Sequence, residues 1–381
     1  MSLRAKHTAS PLNIFTIMTA LARQERAYNL SQGLPDYPVA PALSELLKEA
    51  VVSGYNQYAP MQGLPLLREQ IAAAFNERYT TKYCSAALIT VTPGATYGIY
   101  TSLAAILEKG DEVIYFEPAF DCYMPAIEMN GGIPVKVTLE AARNFEIDWQ
   151  QLKDTITDKT RAILINTPHN PTGYMWTRQD WDHLAEALAG KNIYVISDEV
   201  YDSLVFDGNT HFPGVLQEQF GDKVISIYSF GKAFHITGWK IGYCIASREL
   251  TDAFKSVHQY LTFSVNTPAQ YALSKYLEIY DRSEAATMLQ QKRDMLLEGM
   301  NPSRFKQLST SEGTYFQLYD YSAISDLQDV DFAKWLTTEH KVATIPLSAF
   351  YKFPQKDKIV RLCFAKKDEV LIEASRLLAA L

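Results

Sequence analysis

The sequence predicts an α/β protein: a large domain with a mostly parallel sheet between helices, joined to a smaller α+β domain. Three observations predict it. Short apolar runs that read as strands alternate with helical stretches from about residue 41, the pattern of βαβ units and of a sheet covered on both faces. After about residue 282 the texture changes, as one long helix leads into separate strand-like runs and a closing amphipathic helix. The length of 381 residues also exceeds what one hydrophobic core usually serves, so a main domain with a smaller companion is expected.

Residues 1–40 read as an N-terminal arm and lead-in loop that packs with the small domain: FTIMTALARQERA is a short amphipathic piece and NLSQGLPDYPVAP is rich in turn formers. Residues 41–281 make the large domain. SELLKEAVVSG and LPLLREQIAAAFNERY follow helical spacing, ALITVT reads as a strand, TYGIYTSLAAILEKG as a helix ended by Gly110, and EVIYFEP as a strand. RAILINTP, NIYVISDE and KVISIYSF are further apolar runs, separated by helical segments such as RQDWDHLAEALAG. Residues 282–381 make the small domain, with helices at EAATMLQQKRDMLLEGM, VDFAKWLTTEH and KDEVLIEASRLLAAL around GTYFQLYDYS, VATIPL and VRLCFA.

Composition narrows the function classes. Hydrophobic residues at 47%, aromatics at 12% and charged residues at 21% describe a folded globular enzyme rather than a disordered or fibrous chain. A net charge of -7 leaves no electrostatic footprint for nucleic acid or an anionic membrane. Cys84, Cys122, Cys244 and Cys363 are widely separated and form no CxxC or Cys/His cluster, which argues for free thiols rather than zinc or disulfides. MSLRAKHTASPLNIF holds no apolar leader core and no stretch approaches a membrane span, so a cytoplasmic protein is expected.

In a parallel sheet flanked by helices, ligands sit beyond the carboxyl ends of the strands. That rule selects Asn170 beyond RAILINTP, Asp198 at the end of NIYVISD, and Ser229 to Lys232 after KVISIYSF. Their spacing is about one βαβ repeat each, so all three groups face one cleft. Taken singly, each is an ordinary residue: a solvated lysine, a helix-capping aspartate, a loop serine. HExxH, GxSxG, GxGxxG and GxxxxGK[ST] are all missing, which weakens zinc, serine-hydrolase, dinucleotide and nucleotide-triphosphate readings. Jointly the residues suit pyridoxal phosphate. A cleft lysine forms a Schiff base, and an acid pairs with the pyridinium nitrogen. TPGAT at residues 92–96 opens a helix whose first N–H groups take a phosphate, with Ser229 and Lys240 adding a hydroxyl and a cation.

TPGAT, EPAFDCY, NTPHNPTG, SDEVY, SFGKAFHITGWKIGY and VRLCFAKK, in this order and over essentially the whole chain, resemble the fold-type I pyridoxal-phosphate aminotransferases of class I/II. NQYAPMQG, HQYLTFSVNTPAQ and IPLSAFY resemble the bacterial methionine aminotransferases and the kynurenine aminotransferase/glutamine transaminase K group. The resemblance implies a seven-stranded sheet, pyridoxal 5'-phosphate as cofactor, and a homodimer with shared active sites. It implies that Lys232 forms the imine and then moves the proton between substrate Cα and the cofactor, and that Asp198 keeps the pyridine nitrogen protonated. Tyr201 and Asn170 would bond the phenolic oxygen and Phe120 would stack on the ring. Ala95, Thr96, Ser229 and Lys240 would hold the phosphate, joined by Tyr58 from a neighbouring subunit. On the substrate side it implies Arg361 and Gly33 at the α-carboxylate, with Asn170 nearby, and Tyr37, Tyr123, Phe263 and Phe350 around the side chain. The implied reaction is transamination of a neutral sulfur-containing or aromatic L-amino acid, methionine-like by preference, with a 2-oxo acid as acceptor. Kynurenine or glutamine transamination and cysteine-conjugate C–S β-lysis are alternatives on the same scaffold. Ser264 departs from the histidine that kynurenine aminotransferases often carry. A transcriptional regulator built on this domain would need an attached DNA-binding module, for which the chain has neither the length nor a basic helix-turn-helix stretch.

Overall fold

Seven strands form the central sheet, in the order Ile89–Thr92, Gly242–Ala246, Val224–Ser229, Tyr194–Asp198, Thr160–Asn166, Glu112–Glu117 and Ile133–Thr138. The computed structural model describes residues 13–353 and 356–381; the first twelve residues of the arm, with most of the stretch read for a leader, lie outside these. Gly242–Ala246 pairs antiparallel with both of its neighbours, and the other six strands share one direction. The interior strands are buried along nearly their whole length, which is why the longer of them read as continuous apolar runs rather than alternating ones. Ile133–Thr138 lies at the edge and is largely open on the sequence IPVKVT. Its Pro134 and Lys136 are the residue types that an edge tolerates and that discourage further pairing.

One face of the sheet is covered by the helices Ala95–Ile106, Tyr123–Met129 and Arg248–Leu261, packed through Ile99, Leu103, Ile127, Leu250 and Phe254. The other carries Pro65–Arg78, Trp149–Thr155 and Arg178–Leu188, packed through Phe75, Leu152, Trp181 and Leu184. Arg178–Leu188 starts on a reciprocal cap in which Thr177 and Asp180 satisfy each other's backbone N–H. Ala95–Ile106 follows Gly94 and has no side-chain cap, so among the described residues its first N–H groups are left without a side-chain acceptor at the strand ends.

Beyond the large domain, Lys306–Gln307, Phe316–Asp320, Ile359–Cys363 and Ile345–Pro346 form a four-stranded antiparallel sheet. The helices Arg282–Met300 and Asp368–Ala379 pack with it through Leu289, Leu296, Leu371 and Leu378. The arm helix Ile14–Glu25 leads into Tyr28–Asn29, which pairs in parallel with Val342–Ala343. VATIPL, which reads as one strand, therefore divides: Val342–Ala343 serves the arm and Ile345–Pro346 the small sheet. The helix read at TYGIYTSLAAILEKG stops at Ile106, ahead of Gly110, whose φ of 95° belongs to the following turn. Among the described residues no helix is long and apolar enough to cross a membrane, and all four cysteines are free.

Candidate active site

Strand register, parallel for the first two pairs and antiparallel for the third, sets the floor of the cleft. Asn166 lies beside Asp198, Asp198 beside Ile227, and Ser229 beside Gly242, so three polar strand ends meet at one edge. They line a cavity of about 140 Å³ with Ala95, Thr96, Phe120, Tyr123, Asn170, Tyr201, Lys232 and Lys240. Asp198 is 4% exposed. Its Oδ2 accepts the Tyr123 hydroxyl at 2.6 Å and its Oδ1 the Val200 N–H at 3.4 Å. Burial pushes the carboxyl up to about 6, against the pull of those two donors and of Lys232. A carboxylate in that condition is short of a cation.

Lys232 stands on the short helix Phe230–Ala233, which Ser229 caps by accepting the Gly231 N–H at 3.2 Å. Its Nζ lies 5.6 Å from the Tyr201 ring centre and 5.8 Å from that of Tyr315, and no hydrogen bond holds it among the described residues. Burial lowers the amine to about 8 while Asp198 opposes the shift, so the neutral, nucleophilic form is within reach near neutral pH. Burial holds the Tyr201 phenol above its ordinary range.

The far end of the cavity favours an anion. Gly94 has a φ of 88°, and a Cβ there would come within 3.2 Å of Lys240 Cε and Nζ. The backbone conformation favours glycine here, and its lack of a side chain lets the Lys240 ammonium lie close to the start of the helix Ala95–Ile106. Unpaired N–H groups with a cation above them form a phosphate cradle.

Arg361 occupies the other end, on the strand Ile359–Cys363. It is 2% exposed, donating Nη1 to Asn170 Oδ1 at 2.7 Å and Nη2 to the Ser31 carbonyl at 3.1 Å, while Nε is buried without a partner. Asn170 is in turn held by Asn166, whose Oδ1 accepts its N–H at 2.8 Å. The guanidinium sits 3.7 Å from the Phe316 ring centre, 4.8 Å from Phe350 and 5.5 Å from Phe15. Burial lowers it to about 10, and among the described residues no aspartate or glutamate counters the shift. A buried fork of this kind, with no carboxylate of its own, is built to receive one.

Asp198, Asn170, Tyr201, Phe120, Ala95, Thr96, Ser229, Lys232, Lys240 and Tyr123 therefore come together, with Arg361 and Gly33 adjoining through Asn170 and Tyr315. Tyr123 stands at Asp198 rather than free in the cavity, because its hydroxyl is spent on the carboxylate. Phe350 contributes its ring to the Arg361 surround. Tyr37 does not line the cavity. Its ring lies edge-on to His235 at 4.3 Å with the Lys292 ammonium over it, and its hydroxyl is buried. Tyr58 and Phe263 pack on each other at the outer surface, 84% and 46% exposed. Sequence reasoning missed Tyr315, Phe316, Asn166 and Phe15. Asn166 ends the run RAILIN and was open to the strand-end rule, whereas the other three carry no local signal.

Pyridoxal phosphate fits this set of charges. Its phosphate suits the cradle at Gly94 and Lys240, its ring cation suits Asp198, and its aldehyde suits the unbonded Lys232 amine; Arg361 is left for a substrate carboxylate. An α/β enzyme that carries this cofactor and acts on amino acids is the class in which all these groups find partners at once. The comparisons with known proteins agree. Residues 25–377 match the family described as Aminotransferase class I and II. The chain is 45% identical over 370 residues to the methionine aminotransferase of Escherichia coli (strain K12), covering 97% of this chain and 95% of that protein. It is 34% identical to the kynurenine–oxoglutarate transaminase of Dictyostelium discoideum, covering 95% and 92%. A crystal structure of an Escherichia coli protein assigned a methionine aminotransferase function superposes with a TM-score of 0.95 at 44% identity, covering all of both chains. A single mutant of the Thermus thermophilus aspartate aminotransferase superposes at 0.89 with 28% identity, covering 100% of this chain and 99% of that one. The chain belongs to the class I and II aminotransferases and is a pyridoxal-phosphate-dependent enzyme.

Proposed function

We propose that this aminotransferase moves the amino group of methionine, or of another neutral sulfur-containing or aromatic L-amino acid, to a 2-oxo acid. The observation that carries the reading is the Arg361 guanidinium, which faces no acid and is surrounded by Phe15, Phe316 and Phe350. It can take the α-carboxylate in an apolar setting, and no arginine lines the adjoining cavity to grip a second carboxylate. The identity to the methionine aminotransferase supports the same donor class.

When bound, the cofactor supplies an aldehyde for the amino group and a protonated ring that draws electrons from Cα. The protein's share follows from its own residues. Asp198, held by Tyr123, would keep the ring nitrogen charged. Asn170, whose amide Nδ2 is not used elsewhere among the described residues, and Tyr201 would supply donors to the phenolic oxygen, and Phe120 would supply an apolar face for the ring. Ala95, Thr96, Ser229 and Lys240 would hold the phosphate. Lys232 Nζ would hold the aldehyde and, as a free amine, would serve as the base and acid for the substrate Cα proton. Arg361 and Gly33 orient the carboxylate so that this proton meets the amine.

The exposed Tyr58 and Phe263 support a homodimer in which they serve the partner's site, Tyr58 at the phosphate and Phe263 at the substrate side chain. We place the enzyme in the cytoplasm, with residues 1–40 as arm, 41–281 as the cofactor domain and 282–381 as the small domain. The identity to the kynurenine transaminase supports kynurenine or glutamine transamination as the alternative reading, and Ser264 in place of the histidine of that group weighs against kynurenine. Cysteine-conjugate β-lysis would use the same base on a substrate with a leaving group at Cβ. Turnover of L-methionine with a 2-oxo acid, read as formation of the methionine-derived oxo acid, tests the proposal. Aspartate turnover without any from neutral sulfur-containing or aromatic donors overturns it, and pyruvate and ammonia from a cysteine conjugate with no amino transfer would establish the lyase instead.

A further inference from the structure

The hydroxyl of Tyr315 donates to the Gly33 carbonyl at 2.8 Å across 282 residues of sequence. Tyr315 is fully buried and lies just before the small-domain strand Phe316–Asp320. Its ring meets Tyr201 edge-on at 5.3 Å and faces the Lys232 amine at 5.8 Å. The same lead-in segment is tied a second time, where the Ser31 carbonyl accepts Arg361 Nη2. Gly33 is glycine because a Cβ there would come within 2.6 Å of Phe316 Cζ and 3.3 Å of Tyr315 Cε2. The segment 31–33 thus lies flat against Tyr315 and Phe316, and Phe316 is the ring on which the Arg361 guanidinium rests.

We infer that Tyr315 is a positioning residue joining the two ends of the amino-acid site: its hydroxyl fixes Gly33 beside Arg361, and its ring, with that of Tyr201, bounds the space occupied by the Lys232 amine. The inference rests on the proposed role of Arg361 and Gly33 at the α-carboxylate. The loop is anchored on either side by the Cys363 N–H on the Leu30 carbonyl at 2.9 Å and by Lys366 Nζ on the Leu34 carbonyl at 2.7 Å, so the Tyr315 and Arg361 donors on the Gly33 and Ser31 carbonyls are the contacts that aim the stretch between these anchors at the carboxylate site. Losing one of them loosens the carboxylate's surroundings while the proton-moving amine and the Asp198 carboxylate stay where they are. The signature is a weaker hold on every substrate with an α-carboxylate, donor and acceptor alike, at nearly unchanged chemical rate.

Tyr315→Phe keeps the ring and removes the hydroxyl. In the holoenzyme we expect KM for L-methionine and for the 2-oxo acid to rise together by about three- to tenfold, the worth of one neutral hydrogen bond, with kcat within about twofold. Amide exchange across residues 30–37 should quicken by a similar factor. Tyr321→Phe is the control, because Tyr321 is equally buried in the small domain and its hydroxyl donates to the Leu327 carbonyl at 2.9 Å; it should leave both KM values and the loop exchange unchanged. Unchanged KM values in Tyr315→Phe, an equal rise in Tyr321→Phe, or a fall in kcat alone would each overturn the inference. A parent enzyme that turns over no amino acid defeats the proposed function instead, and the exchange comparison then decides alone whether Tyr315 holds Gly33.

Discussion

Arg361 is where the structure makes its most quantitative demand. Two of its donors are already engaged, by Asn170 Oδ1 and the Ser31 carbonyl, yet no acid faces it and Nε is unused. A substrate carboxylate arriving there makes two charge-assisted hydrogen bonds, each worth about 1.5–3 kcal/mol. Arg361→Ala should therefore cost about 3–6 kcal/mol, or about 10²- to 10⁴-fold in kcat/KM for methionine. Arg361→Lys keeps the charge but loses the planar fork and its stacking on Phe316, and should fall about 10- to 100-fold. The assay pairs methionine with the amine that has the same thioether chain and no carboxylate. If the fork acts on the carboxylate, Arg361→Ala slows methionine and leaves the amine's reaction with the cofactor within about threefold of the parent. Equal losses on both compounds, or a loss under about tenfold on methionine, would refute the assignment.

Three further outcomes follow from the same geometry. In the cofactor-free protein Asp198 has a carboxyl raised to about 6 by burial; a raised acid favours the fold below the unfolded value near 4 and loses that contribution as pH climbs through 6, so Asp198→Asn should melt higher than the parent at pH 8 and equally at pH 4, by calorimetry, with a gap of about 3 kcal/mol at most. No gap at pH 8 would mean that the carboxylate is not strained by its burial. Lys232→Ala should lose at least about 10⁴-fold in transamination and yield no borohydride-trapped adduct, while mixing it with Tyr58→Ala should restore about a quarter of parental activity through hybrid dimers that hold one complete site; no recovery on mixing would count against the shared site. Gly33→Ala drives a methyl to within 2.6 Å of Phe316 and should lower stability by about 1–3 kcal/mol and raise KM for methionine, whereas unchanged melting and KM would show that the loop sits elsewhere.

Several elements were legible because their signals are local. RAILIN, YVISD and VISIYS are buried on both faces and read so in the chain, and the strand-end rule led from them to Asn170, Asp198 and Lys232 before any contact was known. Two strands of the central sheet were not read from periodicity. Ile133–Thr138 sits at an edge, carries Pro134 and Lys136, and lacks the apolar run of its neighbours. Gly242–Ala246 is five residues long and follows the lysine-bearing loop so closely that it merges with the motif. The break of VATIPL between two sheets follows from what each half meets, Tyr28–Asn29 for one and Ile359–Cys363 for the other.

By itself the sequence determined the α/β class and the order of the helices and most strands, because hydrophobic period is a property of neighbouring residues, and it pointed to the lysine and the acid through the strand ends and to Arg361 through the resemblance of VRLCF. Only the tertiary structure decided what surrounds them. Tyr123 reaches Asp198 across 75 positions, Arg361 reaches Asn170 across 191, and Tyr315 reaches Gly33 across 282. Tyr37, which reads as a substrate contact, turns instead to His235 and Lys292. Such pairings are chosen by how the helices, the arm and the four-stranded sheet pack around the central sheet. That choice is made by burial summed over many side chains, and no single stretch of the chain encodes it.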